Sequence, residues 1–161
     1  VVTTNTISIN EIELAIATKF GIRQNIIVPN ISWGFNNLHE CDVFVLRKTG
    51  YAVEVEIKRT KNDLLNDFKK KHGHKSNKIV EFYYAIPGEK INDWVQYIPE
   101  HAGILLYEKL KGGVIIKYHR FAIRNKTARK LTIEEQLKIA RLGCMRIWGL
   151  KRGLINCIQN K

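Results

Sequence analysis

Cysteine, proline and methionine are scarce: 161 residues hold three cysteines, three prolines and one methionine. Cys41, Cys144 and Cys157 cannot all pair and lack the close spacing of a zinc site. That usage fits a reducing compartment, and the expectation is the cytoplasm of a bacterial or phage-infected cell. No apolar run approaches the roughly 20 residues that span a bilayer. The opening stretch, VVTTNTISINEIE, lacks the basic and apolar regions of a secretory signal. Glycine-rich phosphate loops and serine or cysteine nucleophile motifs are absent. Acidic residues are few: 15 stand against 27 lysines and arginines, a net charge of +12. A chain this basic is drawn to polyanions, of which DNA or RNA is the usual one. An anionic membrane surface ranks lower, because no helix joins a dense basic face to a strongly apolar one.

What is present is enough to fold. The chain is 45% hydrophobic, and its length suits one domain over residues 1–161. Ser8 and Glu11 form a capping-box pattern ahead of Ile9, Ile12, Ile16 and Phe20 at helical spacing, with Gly21 as the stop. Residues 26–32 read as a short strand that Pro29 assigns to an edge or an irregularity. Two strong strands follow at 39–47 and 51–59. A helix at 61–71 carries the cap signal Thr60 and Asp63, and 78–87 is a continuous apolar run suited to a strand covered on both faces. Residues 91–98 suit a short helix or turn, and 103–119 a hairpin around KGG. A last helix over 132–150 is capped by Thr132 and Glu135, with Ile133, Leu137, Ala140, Cys144 and Ile147 as its apolar stripe. The order α-β-β-β-α-β, then a hairpin and a helix, predicts an α/β (α+β) fold with a mixed sheet flanked by helices.

The stretch EVEIK, residues 54–58, poses the functional question. On a strand Glu54, Glu56 and Lys58 share one face, and Val53, Val55 and Ile57 the other. A three-residue KTG turn with Gly50 left-handed would set Leu46 opposite Ala52, Phe44 opposite Glu54, Asp42 opposite Glu56 and Glu40 opposite Lys58. All those charged groups would then lie on one face. Two carboxylates about 4 Å apart repel by roughly 4 kcal/mol at an effective dielectric of 20. A divalent cation between them would remove that cost, and carboxylates suit a hard ion such as Mg²⁺. The other reading is the wet face of an ordinary sheet, with Lys58 paired to Glu40.

These residues resemble a known superfamily. CDVFVL and VEVEIK, with a helix before them and a helix and strand after, look like the PD-(D/E)XK nucleases of restriction-endonuclease-like fold. The stretches EIKRTKNDLLNDFKKKHGHK, FYYAIP and IPEHAGILLYE are similar to phage and bacterial nuclease-like proteins, and more loosely to the MmcB family of DNA-repair endonucleases. The likeness covers about residues 8–108, leaving the hairpin and basic helix of 109–161 as an addition. It implies an αβββαβ core and a Mg²⁺-dependent endonuclease, with Mn²⁺ able to substitute. Asp42 would be the first metal acid, Glu56 the second, the backbone carbonyl of Ile57 a further ligand, and Lys58 the group that poises the water. Glu11 would complete the site from the first helix, with Glu13 the weaker match. Cys41 stands where the proline that names the superfamily would be.

The run after Lys58 is dense in lysine, and Lys61, Lys69, Lys70, Lys71, Lys75 and Lys78 are candidates for phosphate contacts beside the cleavage site. The competing reading is a solvated helix end. His72 and His74 suit solvent better than a metal. Trp33, Phe35, Tyr83, Tyr84 and Trp94 are stacking candidates that apolar surroundings assign mainly to the core. The basic C-terminal part suits a second DNA surface or the flank of a homodimer. The alternative to the enzyme is a DNA-binding module of the same fold with no catalysis.

Overall fold

In the computed structural model, residues 6–31, 40–69 and 76–159 are described. Helix α1 (Ile9–Lys19) starts where its chemistry says. The Ser8 hydroxyl accepts from the Glu11 amide, and the Glu11 carboxylate accepts from the Ser8 amide. Gly21, at φ 76°, ends it in the left-handed region. Strands β1 (Ile26–Ile31), β2 (Cys41–Leu46) and β3 (Ala52–Ile57) form an antiparallel meander. Gly50 takes φ 86° in the turn between β2 and β3, where the Arg47 carbonyl accepts from its amide at 2.8 Å. Near the turn the register is the predicted one, with Leu46 facing Ala52 and Phe44 facing Glu54, but the ladder ends at Val43 and Val55 and does not include the expected Asp42–Glu56 and Glu40–Lys58 pairs.

Helix α2 (Lys61–Asp67), capped by Thr60, carries the chain to β4 (Ile79–Pro87), which runs parallel to β3. Two short 3₁₀ turns around helix α3 (Ile91–Trp94) lead to β5 (Gly103–Leu110), parallel to β4, and β6 (Gly113–Arg120) closes an antiparallel hairpin. The six strands lie in chain order across one sheet. Helix α4 (Ile133–Gln159) follows, with Thr132 and Glu135 exchanging the hydrogen bonds of a capping box. This is a mixed sheet flanked by helices, as the element order predicted. No helix among the described residues is long and apolar enough to cross a membrane.

Each sheet face carries a core. On one, Ile12, Ile16 and Phe20 of α1 pack on Val43, Val45, Val53, Val55, Tyr83 and Ala85. On the other, Leu64 of α2, Trp94 of α3 and Ile139 of α4 pack on Phe44, Leu46, Phe82, Tyr84 and Ile86. Cover on both faces explains why β4 is apolar except at Glu81, which pairs with Arg47. Tyr83, Tyr84 and Trp94 are core residues.

Two expectations are corrected. In α4, Ile139 is the fully buried residue, while Ile133, Leu137 and Ile147 of the expected stripe are more than half exposed and Cys144 is exposed. Gly143 approaches Val28, where a Cβ would lie 3.2 Å from its methyl, and Arg146 donates to the Asn30 carbonyl of β1. The second correction concerns alternation. In β1, Val28 and Ile31 share a core although they are three residues apart, and so do Cys41 and Phe44 in β2. Asn30 has φ 52°, next to a proline that lacks an N–H. The edge strand and its neighbour therefore change face together, and Cys41 joins the face that Asp42 was expected to occupy.

Candidate metal and charge site

The carboxyl ends of parallel β3 and β4 are where an open α/β sheet presents its groups to a ligand. Glu54 and Glu56 point from β3 into the face covered by α2, and Lys58 follows directly. The face is not wet: Glu54, Glu56 and Lys58 are exposed by 0%, 2% and 3%. The expectation of an open catalytic face is thus corrected, because Leu64 and Asp67 of α2 are buried over this end of the sheet.

The Lys58 ammonium donates to Glu56 Oε2 and to Asp67 Oδ1, both at 2.9 Å. The Tyr84 hydroxyl donates to Asp67 Oδ2 at 2.7 Å, and the Tyr107 hydroxyl donates to the Lys58 carbonyl at 3.3 Å. Lys58 therefore pairs across to α2 rather than with Glu40, which is exposed. Glu54, Glu56 and Asp67 bring three formal negative charges against one ammonium. Such an excess in a buried site must be offset by protons or by a cation.

The electrostatics show the same imbalance. Burial, with the Asp42 and Glu54 charges adding to it, pushes the Glu56 carboxyl up to about 7 against the opposing pull of Lys58. Burial works against the Lys58 ammonium, but Glu56 and then Asp67 outweigh it, and its pKa rises above the usual lysine value. Burial, then Glu54 and Glu56, push the Cys41 thiol well up. Glu56 Oε1 is buried and receives no hydrogen bond. A bare carboxylate oxygen in such a place is costly, and a cation would satisfy it.

Asp42 is only half-buried. Its Oδ2 accepts from the Ile57 amide at 2.7 Å. Its charge reaches Glu56 on one side and Glu13 on the other. Burial first, then Asp42, raise the Glu13 pKa, and Asn30 opposes by donating to Glu13 Oε1 at 2.9 Å. Of the two α1 acids, Glu13 is the one placed near Asp42. Glu11 caps its own helix and pairs with Lys109; that pairing, first, and the Ser8 bonds hold it down at about 2. The match by distance to Gly21 is corrected: the capping box turns Glu11 back onto its own helix end.

Three residues join the site beyond those that motif reasoning assigned to it. Asp67 sits among lysines in the sequence, and only the packing of α2 reveals it. Tyr84 is hidden by an apolar run. Cys41 is on the face because alternation breaks between it and Phe44; its Sγ, a Glu54 oxygen and a Glu56 oxygen lie within 4.8 Å of one another.

The basic residues divide. Lys69 is exposed and donates to Asn66. Lys61 is exposed at the start of α2, its ammonium 4.7 Å from the Tyr97 ring centre. Lys78 forms an ion pair with Glu135 at 3.4 Å and adjoins Ile79, which pairs with Ala52 at the far end of β3. Six residues of strand, about 20 Å, separate it from Lys58, so Lys78 is corrected to a structural role. Lys70, Lys71, Lys75, His72 and His74, like Trp33 and Phe35, lie outside the described residues. A cleft of about 710 Å³ is lined by Arg59, Pro87, Gly88, Tyr107 and Lys109 among others, and none of Asp42, Glu54, Glu56 or Lys58 lines it.

No family model and no curated protein matches the chain. Among solved structures it is similar to a protein of unknown function from Silicibacter pomeroyi. The identity is 16%, the TM-score 0.59, and the match covers 87% of this chain and 86% of that one. At that identity the likeness is one of fold.

Proposed function

We propose that the chain is a divalent-metal-dependent nuclease of PD-(D/E)XK type that hydrolyses DNA phosphodiesters. The observation that supports this reading best is the Asp42 carboxylate on the Ile57 amide, where its charge acts on Glu56, which is itself paired with Lys58 and has Oε1 buried and without a hydrogen bond. Asp42 and Glu56 would hold Mg²⁺ or Mn²⁺, which supplies a Lewis acid and an acidified water when bound. Lys58, kept charged by Glu56 and Asp67, is a poor proton acceptor. Its part is to orient the water and to offset negative charge growing on the phosphate. Asp67 and Tyr84 hold that ammonium in place. The net charge of +12 supplies attraction to the DNA backbone, with exposed Lys61 and Lys69 positioned for it.

The test is cleavage of linear, supercoiled, single-stranded and branched DNA with Mg²⁺, Mn²⁺ or EDTA. Glu56→Gln and Asp42→Asn are assayed beside the wild type, with folding checked by circular dichroism. Metal-dependent cleavage that both variants lose is the expected result. Salt-sensitive DNA binding with no cleavage of any substrate would replace the enzyme by a DNA-binding module of the same fold.

A further inference from the structure

We infer that Cys41, Glu54 and Glu56 form a binding site for a thiophilic divalent cation, Zn²⁺ or Co²⁺, distinct in its donors from the Asp42–Glu56 pair. The three side chains are buried on one face of β2 and β3, with ligand atoms within 4.8 Å of one another. A tetrahedral zinc ion with bonds of about 2.0–2.3 Å places its ligands about 3.3–3.8 Å apart. Closing the set on an ion thus needs a contraction of at most about 1.5 Å, within reach of glutamate rotamers. The second observation is Glu56 Oε1. It is buried, receives no hydrogen bond, and belongs to the carboxylate whose other oxygen is already held by Lys58.

The donor set selects the metal. Thiolate sulfur with two carboxylates suits a borderline ion, whereas Mg²⁺ prefers octahedral oxygen and keeps its waters. Binding balances as one metal–sulfur bond formed and the Cys41 S–H broken, its proton passing to solvent. A water completes the fourth position. Two glutamates, Asp67 and a thiolate against the ion and Lys58 leave one negative charge, where without the ion and with the thiol protonated Glu54, Glu56 and Asp67 against Lys58 leave two. Glu56 is shared with the proposed Mg²⁺ pair, so zinc here would withdraw it from Asp42. The site itself does not depend on nuclease activity.

The experiment uses the whole chain with Cys144→Ser and Cys157→Ser, which removes the two exposed thiols on α4 and leaves Cys41 alone. Titration with Co²⁺ should give a thiolate-to-cobalt charge-transfer band saturating at one equivalent. The band should vanish in the further variant Cys41→Ser and need at least about tenfold more Co²⁺ in Glu54→Gln. Zn²⁺ should bleach it, and a large excess of Mg²⁺ should not. A band that survives Cys41→Ser, or no band at all, overturns the site. Should Cys41→Ser fail to fold, X-ray absorption at the zinc edge of the two-serine protein decides. One sulfur at about 2.3 Å supports the site, and a shell of oxygen and nitrogen alone overturns it.

Discussion

Glu56 should make the metal-free protein less stable as pH rises. Its carboxyl titrates near 7 in the folded chain against an ordinary 4.5. Between those values the folded state keeps a proton that the unfolded state has released. Stability therefore falls with pH across this window, and the loss is complete above about 7, where both states are ionised. At 1.36 kcal/mol per pH unit the gap amounts to about 3 kcal/mol. Glu56→Gln keeps an oxygen to accept from Lys58 and has no proton to lose. Urea unfolding in EDTA at a series of pH values from 4 to 8, read as the difference between wild type and variant, isolates this one group from the other carboxylates and histidines. The wild type should lose about 3 kcal/mol relative to Glu56→Gln between about pH 4.5 and 7. Parallel curves for the two proteins would refute the reasoning, since they would mean that Glu56 is not held in a buried, acid-crowded place.

Lys58→Met should destabilise by about 3–5 kcal/mol in urea unfolding, because it strands Glu56 and Asp67; adding Asp67→Asn should recover part of the loss. Gly103→Ala should cost about 3 kcal/mol or more, since its Cβ would lie 2.2 Å from the Tyr83 ring and 2.7 Å from the Ala122 nitrogen; a change in melting temperature near zero would contradict that packing. In fluorescence titrations with DNA, Lys69→Ala should lower the log–log salt slope by about one. Lys78→Ala should leave the slope unchanged and lower the melting temperature instead, because its partner is Glu135.

Helix caps, turns and strands were legible because their causes are local. Ser8 with Glu11, Thr60 with Asp63, Thr132 with Glu135 and Gly50 in its turn each act within three or four residues. The face shared by Glu54, Glu56 and Lys58 follows from strand period alone. The bond of Asp42 to the Ile57 amide is not legible in the sequence, because it forms where the β2–β3 ladder has ended. The stripe chosen for α4 failed for a similar reason: an apolar periodicity names a face, and only the sheet's position decides how much of a 27-residue helix it covers.

What the sequence determined by itself is the order and type of the elements, the β2–β3 register, the excess of positive charge and the presence of an acid pair next to a lysine. What only the tertiary structure decided is the environment of that pair. The burial of the acids, the choice of Asp67 and Tyr84 as the clamp on Lys58 and the arrival of Cys41 all come from the packing of separate elements. Local rules act through backbone hydrogen bonds over a few residues; solvation and charge coupling act through space, and they exist only once the layers have packed.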